Sequence, residues 1–231
     1  MHLQFTGMGT AYYPQLGSNS AFFSIENHLY MIDCGESTFK SMVELGVLEK
    51  YDHITVFVTH VHFDHIGSLG TMITYCRNVL HKTVTVLSQD TIIQQMLSLA
   101  GINIDRYVFI QEPVHTEPNG LRITATPARH VDAIPCYGYL LEYKQDRTYF
   151  SGDTAVIPTD ILNEFHSGNI QQMYVDCSTD RIGGRTHLSL EALCSMIPDE
   201  ERSRVTCMHL GGPFQQAVLD SGFCLPDCIH S

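Results

Sequence analysis

The sequence predicts an α/β sandwich. Two observations carry that expectation. Short, strongly apolar runs of strand length alternate with segments of helical spacing from one end of the chain to the other. At 231 residues and 44% hydrophobic composition, the chain is long enough to bury one large core, and it shows no repeat, linker or low-complexity run. Residues 1–231 are therefore expected to form a single domain.

In chain order, Leu3 to Thr6 reads as a strand running into the turn Gly7-Met8-Gly9-Thr10. Ala21–Ile25 and Leu29–Ile32 read as a hairpin pair. From Ser37 to Leu48 the spacing is helical, with Phe39, Met42, Val43 and Leu45 or Val47 on one side. The apolar run Ile54–Val58 follows, and a helix is expected from Ile66 to Asn78. Thr83–Leu87 reads as a strand and Asp90–Leu99 as a helix. The second half repeats the style. Leu121–Thr126, Tyr137–Tyr143 and Arg147–Ser151 read as strands, and Thr159–Phe165 as a helix. Met173–Asp176 is a strand, Leu188–Met196 a helix, Val205–Met208 a strand and Phe214–Asp220 a helix.

The formal charge of −12 argues against a broad surface that tracks a phosphate backbone, so an extended nucleic acid is not the expected partner. A small anionic substrate fits better, because bound cations can supply a local positive field. No signal peptide and no membrane-spanning segment are expected, which points to the cytoplasm. The eight cysteines are scattered, mostly within apolar runs, and read as buried thiols in a reducing compartment. Cys224, Cys228 and His230 make an incomplete zinc set and read as local packing.

The chemistry concentrates in Thr59-His60-Val61-His62-Phe63-Asp64-His65, directly after an apolar run. In an extended chain, positions i and i+2 point the same way, so His60 and His62 can grip one ion. A turn just beyond can aim Asp64 and His65 at a second. Imidazole nitrogen with carboxylate oxygen suits zinc or another borderline divalent ion. The stretch resembles the HxHxDH motif of the metallo-β-lactamase superfamily.

Further candidates sit at strand ends or in loops: His130, Asp153, His187 and His209. His60, His62 and His130 give one ion three nitrogens. Asp64, His65 and His209 serve a second ion, and Asp153 has two oxygens with which to bridge both. The expected cofactors are two divalent ions, Zn²⁺ or alternatively Mn²⁺, activating a hydroxide near neutral pH.

Within the superfamily the chain resembles the tRNA 3′-processing endonuclease (RNase Z) branch. Asp33-Cys34-Gly35-Glu36 is similar to its DCGE segment, which implies a supporting role for Asp33 beneath the metals. Ser151-Gly152-Asp153 is similar to its SGD motif. Thr186-His187-Leu188-Ser189 is similar to the motif whose histidine serves the leaving group, which implies a catalytic role for His187 beside Asp64. The resemblance also implies the αββα sandwich of the metallo-β-lactamase fold and a homodimer.

One departure bears on substrate. The RNase Z enzymes carry a long tRNA-gripping arm between the third histidine and the SGD motif. Here only residues 131 to 152 separate His130 from Asp153, and a hairpin fills them. The chain thus resembles the armless anti-Pycsar proteins, which hydrolyse cyclic nucleotide signals, and the small cyclic-phosphate phosphodiesterases of phosphonate metabolism. The expectation is a metal-dependent phosphodiesterase acting on cyclic nucleotides or similar small cyclic phosphodiesters. An RNase Z-like endoribonuclease, and a thioesterase- or lactonase-type hydrolase, are the alternatives. Tyr12, Tyr13 and Phe22 are candidates for stacking on a base.

Overall fold

The computed structural model describes residues 1–179 and 185–229. Strand β1 (Gln4–Gly7) leads to the hairpin of β2 (Ser20–Ile25) and β3 (His28–Ile32), then helix α1 (Thr38–Glu44) and β4 (His53–Phe57). A single helical turn, α2 (Phe63–Ile66), precedes α3 (Leu69–Asn78), β5 (Val84–Leu87), α4 (Ile92–Leu99) and β6 (Val108–Ile110). The second half runs β7 (Val114–Thr116), β8 (Arg122–Ala128), β9 (Cys136–Tyr143), β10 (Asp146–Phe150), α5 (Thr159–His166) and β11 (Gln172–Asp176). It closes with α6 (Leu190–Met196), β12 (Val205–Met208), α7 (Gln215–Asp220) and β13 (Asp227–Cys228).

The strands form two sheets. One is ordered β13-β1-β2-β3-β4-β5-β6, the other β12-β11-β10-β9-β8-β7. Period-2 alternation sorts each strand's side chains between two interfaces. On β3, Tyr30 and Ile32 join Phe5, Phe23, Phe57, Tyr139, Leu141, Phe150 and Tyr174 in the layer between the sheets. The intervening Leu29 and Met31 turn outward to Met42 of α1, Met72 of α3 and Ile93 of α4. On the second sheet, Leu140, Met173 and Val205 face outward to Ile161 and Phe165 of α5, Leu193 of α6 and Val218 of α7. Three apolar layers with helices outside two sheets make an αββα sandwich.

The predicted elements recur with shifted ends. Helix α1 stops at Glu44, because Gly46 turns left-handed (φ 59°) two residues later. The helix expected from Ile66 divides into α2 and α3, so Asp64 and His65 lie inside a helical turn. Strands β6, β7 and β13 were not foreseen; they are two or three residues long and partly exposed, too short for alternation to register. Phe22 is corrected as a stacking candidate: it is buried among Leu29, Met31 and Met42, on the outer face of the first sheet. Cys224 bridges Thr206 through the backbone and Cys228 belongs to β13, so both serve the sheets, while His230 lies outside the described residues. Among the described residues no helix is long and apolar enough to cross a membrane.

Phe150 is fully buried between the sheets, its ring 6.4 Å from that of Phe5. Phe150→Ala is expected to lower the unfolding free energy by about 3–5 kcal/mol in urea titration. A loss below about 1 kcal/mol would show that this layer can collapse around the gap.

Candidate active site

All the candidate site residues gather at one edge of the sandwich. Strands β3, β4 and β5 run parallel, as do β10, β11 and β12, and each set ends at that edge. Asp33 follows β3, and His60 to His65 follow β4. His130 follows β8, Asp153 follows β10 and His209 follows β12. His187 stands in the loop before α6.

The backbone at these strand ends explains the motifs. A Cβ on Gly35 would overlap the Asp64 carbonyl oxygen, so Gly35 lets the loop after β3 press against α2. The Cys34 N–H donates to the His65 carbonyl at 2.7 Å across that contact. Gly152 is left-handed (φ 59°), and a Cβ there would overlap the Tyr137 carbonyl oxygen. Asp33 and His209 adopt left-handed conformations without being glycine, at φ 65° and 57°. Such strain persists only where surrounding contacts hold it. For His209, its N–H donates to the buried Asn19 Oδ1 at 3.3 Å.

Two clusters of ligand-type atoms face Asp153. In the first, His60 Nε2 lies 2.9 Å from His62 Nδ1, and His62 Nδ1 lies 3.4 Å from His130 Nε2. Asp153 Oδ2 is 3.8 Å from His60 Nε2 and 3.7 Å from His130 Nε2. In the second, Asp64 Oδ2 is 3.6 Å from His65 Nε2 and 3.2 Å from His209 Nε2. Asp153 Oδ1 is 3.3 Å from His65 Nε2 and 3.4 Å from His209 Nδ1. A tetrahedral ion bound at about 2.0–2.1 Å sets its ligand atoms roughly 3.3 Å apart, close to the spacing within the first cluster and among Asp64, His65 and His209 Nε2 in the second; the Asp153 contact of His209 uses its other nitrogen.

The polar accounting bears on what these clusters could hold. His65 Nε2, Asp153 Oδ1, Asp176 Oδ1 and His209 Nδ1 are buried atoms without a hydrogen-bond partner among the described residues. Orphaned buried groups are costly and call for an explanation. Burial opposes charge on His65 and His209, but Asp153 beside both holds their protons on, raising His209 to about 10. Burial also opposes charge on Asp153, yet His209 and His65 hold it well below the usual carboxylate range. His60 moves the other way: burial and the neighbouring His65 keep it neutral, the form that binds a metal. These residues fit divalent cations, which would replace the shared protons.

A second layer aims the ligands. Asp33 is fully buried. Its oxygens accept from Thr59 N–H at 2.8 Å, Thr59 Oγ1–H at 2.8 Å and His65 Nδ1–H at 2.7 Å. The Thr59 hydroxyl spends its one hydrogen on Asp33, so it accepts from His60 Nδ1 at 3.0 Å. His130 Nδ1–H donates to the Thr186 carbonyl at 2.8 Å. Each imidazole thereby turns its other nitrogen inward.

His187 stands next to the clusters, its ring 4.8 Å from that of His130 and 5.2 Å from that of His209. Its partner is Asp176, which the sequence reading treated only as the last residue of a strand. Asp176 Oδ2 accepts from His187 Nδ1 at 2.7 Å and from Thr154 N–H at 2.9 Å. Burial opposes charge on His187, but Asp176 raises its pKa. The signal was available, since a carboxylate closing the apolar run Met173–Val175 has the same placement as Asp153. His62, Asp64, His130, Asp153, His187 and His209 open onto one cleft of about 550 Å³.

A two-sheet sandwich with this histidine and carboxylate cluster at its strand ends defines a protein of the metallo-β-lactamase fold. Solved structures agree on the fold. The metallo-beta-lactamase fold protein YhfI from Bacillus subtilis superposes with a TM-score of 0.75 at 17% identity, over 95% of this chain and 90% of that one. The short form of human tRNase Z superposes with a TM-score of 0.68 at 16% identity, over 91% and 93%. The family described as Anti-Pycsar protein Apyc1 matches residues 1–225, and the chain belongs to that family. The Anti-Pycsar protein Apyc1 of Paenibacillus harenae is 25% identical over 230 residues, 94% of this chain and 92% of the relative.

Asp33 tests the second layer. Asp33→Ala strips the orienting acceptor from His65 and Thr59, and is expected to weaken zinc affinity about 10–100-fold in chelator competition. Undiminished affinity would show that packing alone orients His65.

Proposed function

We propose that the chain is a metal-dependent phosphodiesterase that hydrolyses cyclic nucleotide signals. One observation carries the reading: the two oxygens of a single buried carboxylate, Asp153, face two separate clusters of ligand atoms. His60, His62 and His130 would hold one ion, Asp64, His65 and His209 the other, with Asp153 between them. Bound there, divalent ions would supply an activated water and offset charge on the phosphoryl oxygens. Membership of the anti-Pycsar family supports a cyclic nucleotide as the substrate.

The protein's own residues supply the rest. The departing alkoxide needs a proton, and His187, held by Asp176 beside the clusters, would give it. Asp176 fixes the tautomer: with Nδ1–H engaged, Nε2 is the nitrogen left to carry a proton to the leaving oxygen. Between His130 and Asp153 the chain forms only the hairpin of β9 and β10, paired from Asp146↔Tyr143 to Phe150↔Tyr139. A compact cleft, a short hairpin and a charge of −12 favour a small phosphodiester over a long polyanion. A homodimer is included in this reading.

Three outcomes test the proposal. Purified protein should hold about two zinc or manganese ions per chain by elemental analysis. Protein that holds neither, with no activity when either metal is added, would end the reading. Cyclic nucleotides should be cut with higher kcat/KM than pre-tRNA at physiological salt; the reverse order would make the chain an RNase Z-like endoribonuclease. His187→Ala should keep both ions yet lose about 10²–10⁴-fold in kcat on a cyclic nucleotide, and less on a nitrophenyl ester whose leaving group needs no proton. Loss of metal in that variant would make His187 a ligand.

A further inference from the structure

We propose that Tyr12 and Phe63 form an aromatic grip for the substrate's nucleobase, so that the cleft recognises a phosphodiester carrying a flat heteroaromatic ring. This rests on the cyclic nucleotide reading above and extends it to the part of the substrate remote from phosphorus.

The two rings stand out by their exposure. Seven of the bulkiest aromatic side chains, among them Tyr30, Tyr139 and Phe150, are fully buried. Tyr12 is 89% exposed and Phe63 65% exposed, yet both line the cleft shared by His62, Asp64 and His187. Among the described residues neither ring stacks on another aromatic ring, so their faces are available. Apolar rings held in water beside a polar centre mark a surface kept for a ligand.

Their backbone is anchored to the site. Phe63 opens α2 directly between His62 and Asp64, so its backbone cannot shift without moving a ligand. Tyr12 belongs to a turn fastened to the same centre. The Ala11 N–H donates to Asp64 Oδ2 at 3.0 Å, and the Thr10 N–H donates to the Leu210 carbonyl, next to His209, at 3.3 Å. A phosphate lodged at the ligand cluster therefore presents its nucleoside to a cleft lined by both rings. Stacking on such rings tolerates any base, because every base has a π-face.

The test uses the full chain loaded with zinc and compares adenosine 5′-monophosphate with ribose 5-phosphate by calorimetry. Both ligands offer the same phosphate, so the difference isolates the base. The nucleotide should bind about 5- to 150-fold more tightly, the range for base–aromatic stacking. Tyr12→Ala and Phe63→Ala should each remove most of that advantage, while Tyr12→Phe and Phe63→Tyr should retain it. Equal affinity in the unaltered protein overturns the grip, whatever the turnover assay shows. A retained advantage without turnover of cyclic nucleotides leaves the grip standing and rejects the proposed reaction.

Discussion

The buried carboxylate of Asp153 is the constraint around which the site is arranged. An ionised carboxylate in a dry interior is costly unless it is paired. Here His60 and His130 face one oxygen, and His65 and His209 the other. Gly152 is obligatory because its left-handed turn and lack of a side chain deliver Asp153 to that position. The left-handed backbone of His209 and the Asp33–Thr59–His65 network follow from the same demand: nitrogens must meet the carboxylate from several directions.

Much of this was legible in the sequence, for a physical reason. A polar residue closing an apolar strand has few structural uses, and His130, Asp153 and His209 all have that form. The split of α2 from α3 was not legible, because Gly67 and Ser68 interrupt a helix without a proline or a charge run. Strands β6 and β7 sit at the edges of their sheets, where two or three residues of pairing leave no periodic trace. Phe22 was misread because neighbouring residues on a strand face opposite ways, and the sequence does not say which face carries helices. Asp176 hid in plain sight: a carboxylate at a strand end reads as a boundary until its partner, His187, is placed beside it.

Three of the histidines share one arrangement. His65, His60 and His130 hand one nitrogen to a carboxylate, a hydroxyl and a carbonyl in turn and keep the other pointed inward. His187 is held by a carboxylate in the same manner and lines the cleft, with a ring nitrogen near enough to group with atoms of Asp153, Asp176 and His209. The same chemical device, a carboxylate on Nδ1, thus recurs at His65 and His187.

The two clusters also draw on both sheets. His60, His62, Asp64 and His65 hang from the first sheet, His130, Asp153 and His209 from the second. Ions held by both clusters would therefore tie their binding to closure of the sandwich along this edge. At a free metal concentration a thousandfold above the dissociation constant, that linkage would be worth about 4 kcal/mol, a large share of a typical domain's stability. The metal supply would then set how firmly the two sheets are held together at this seam.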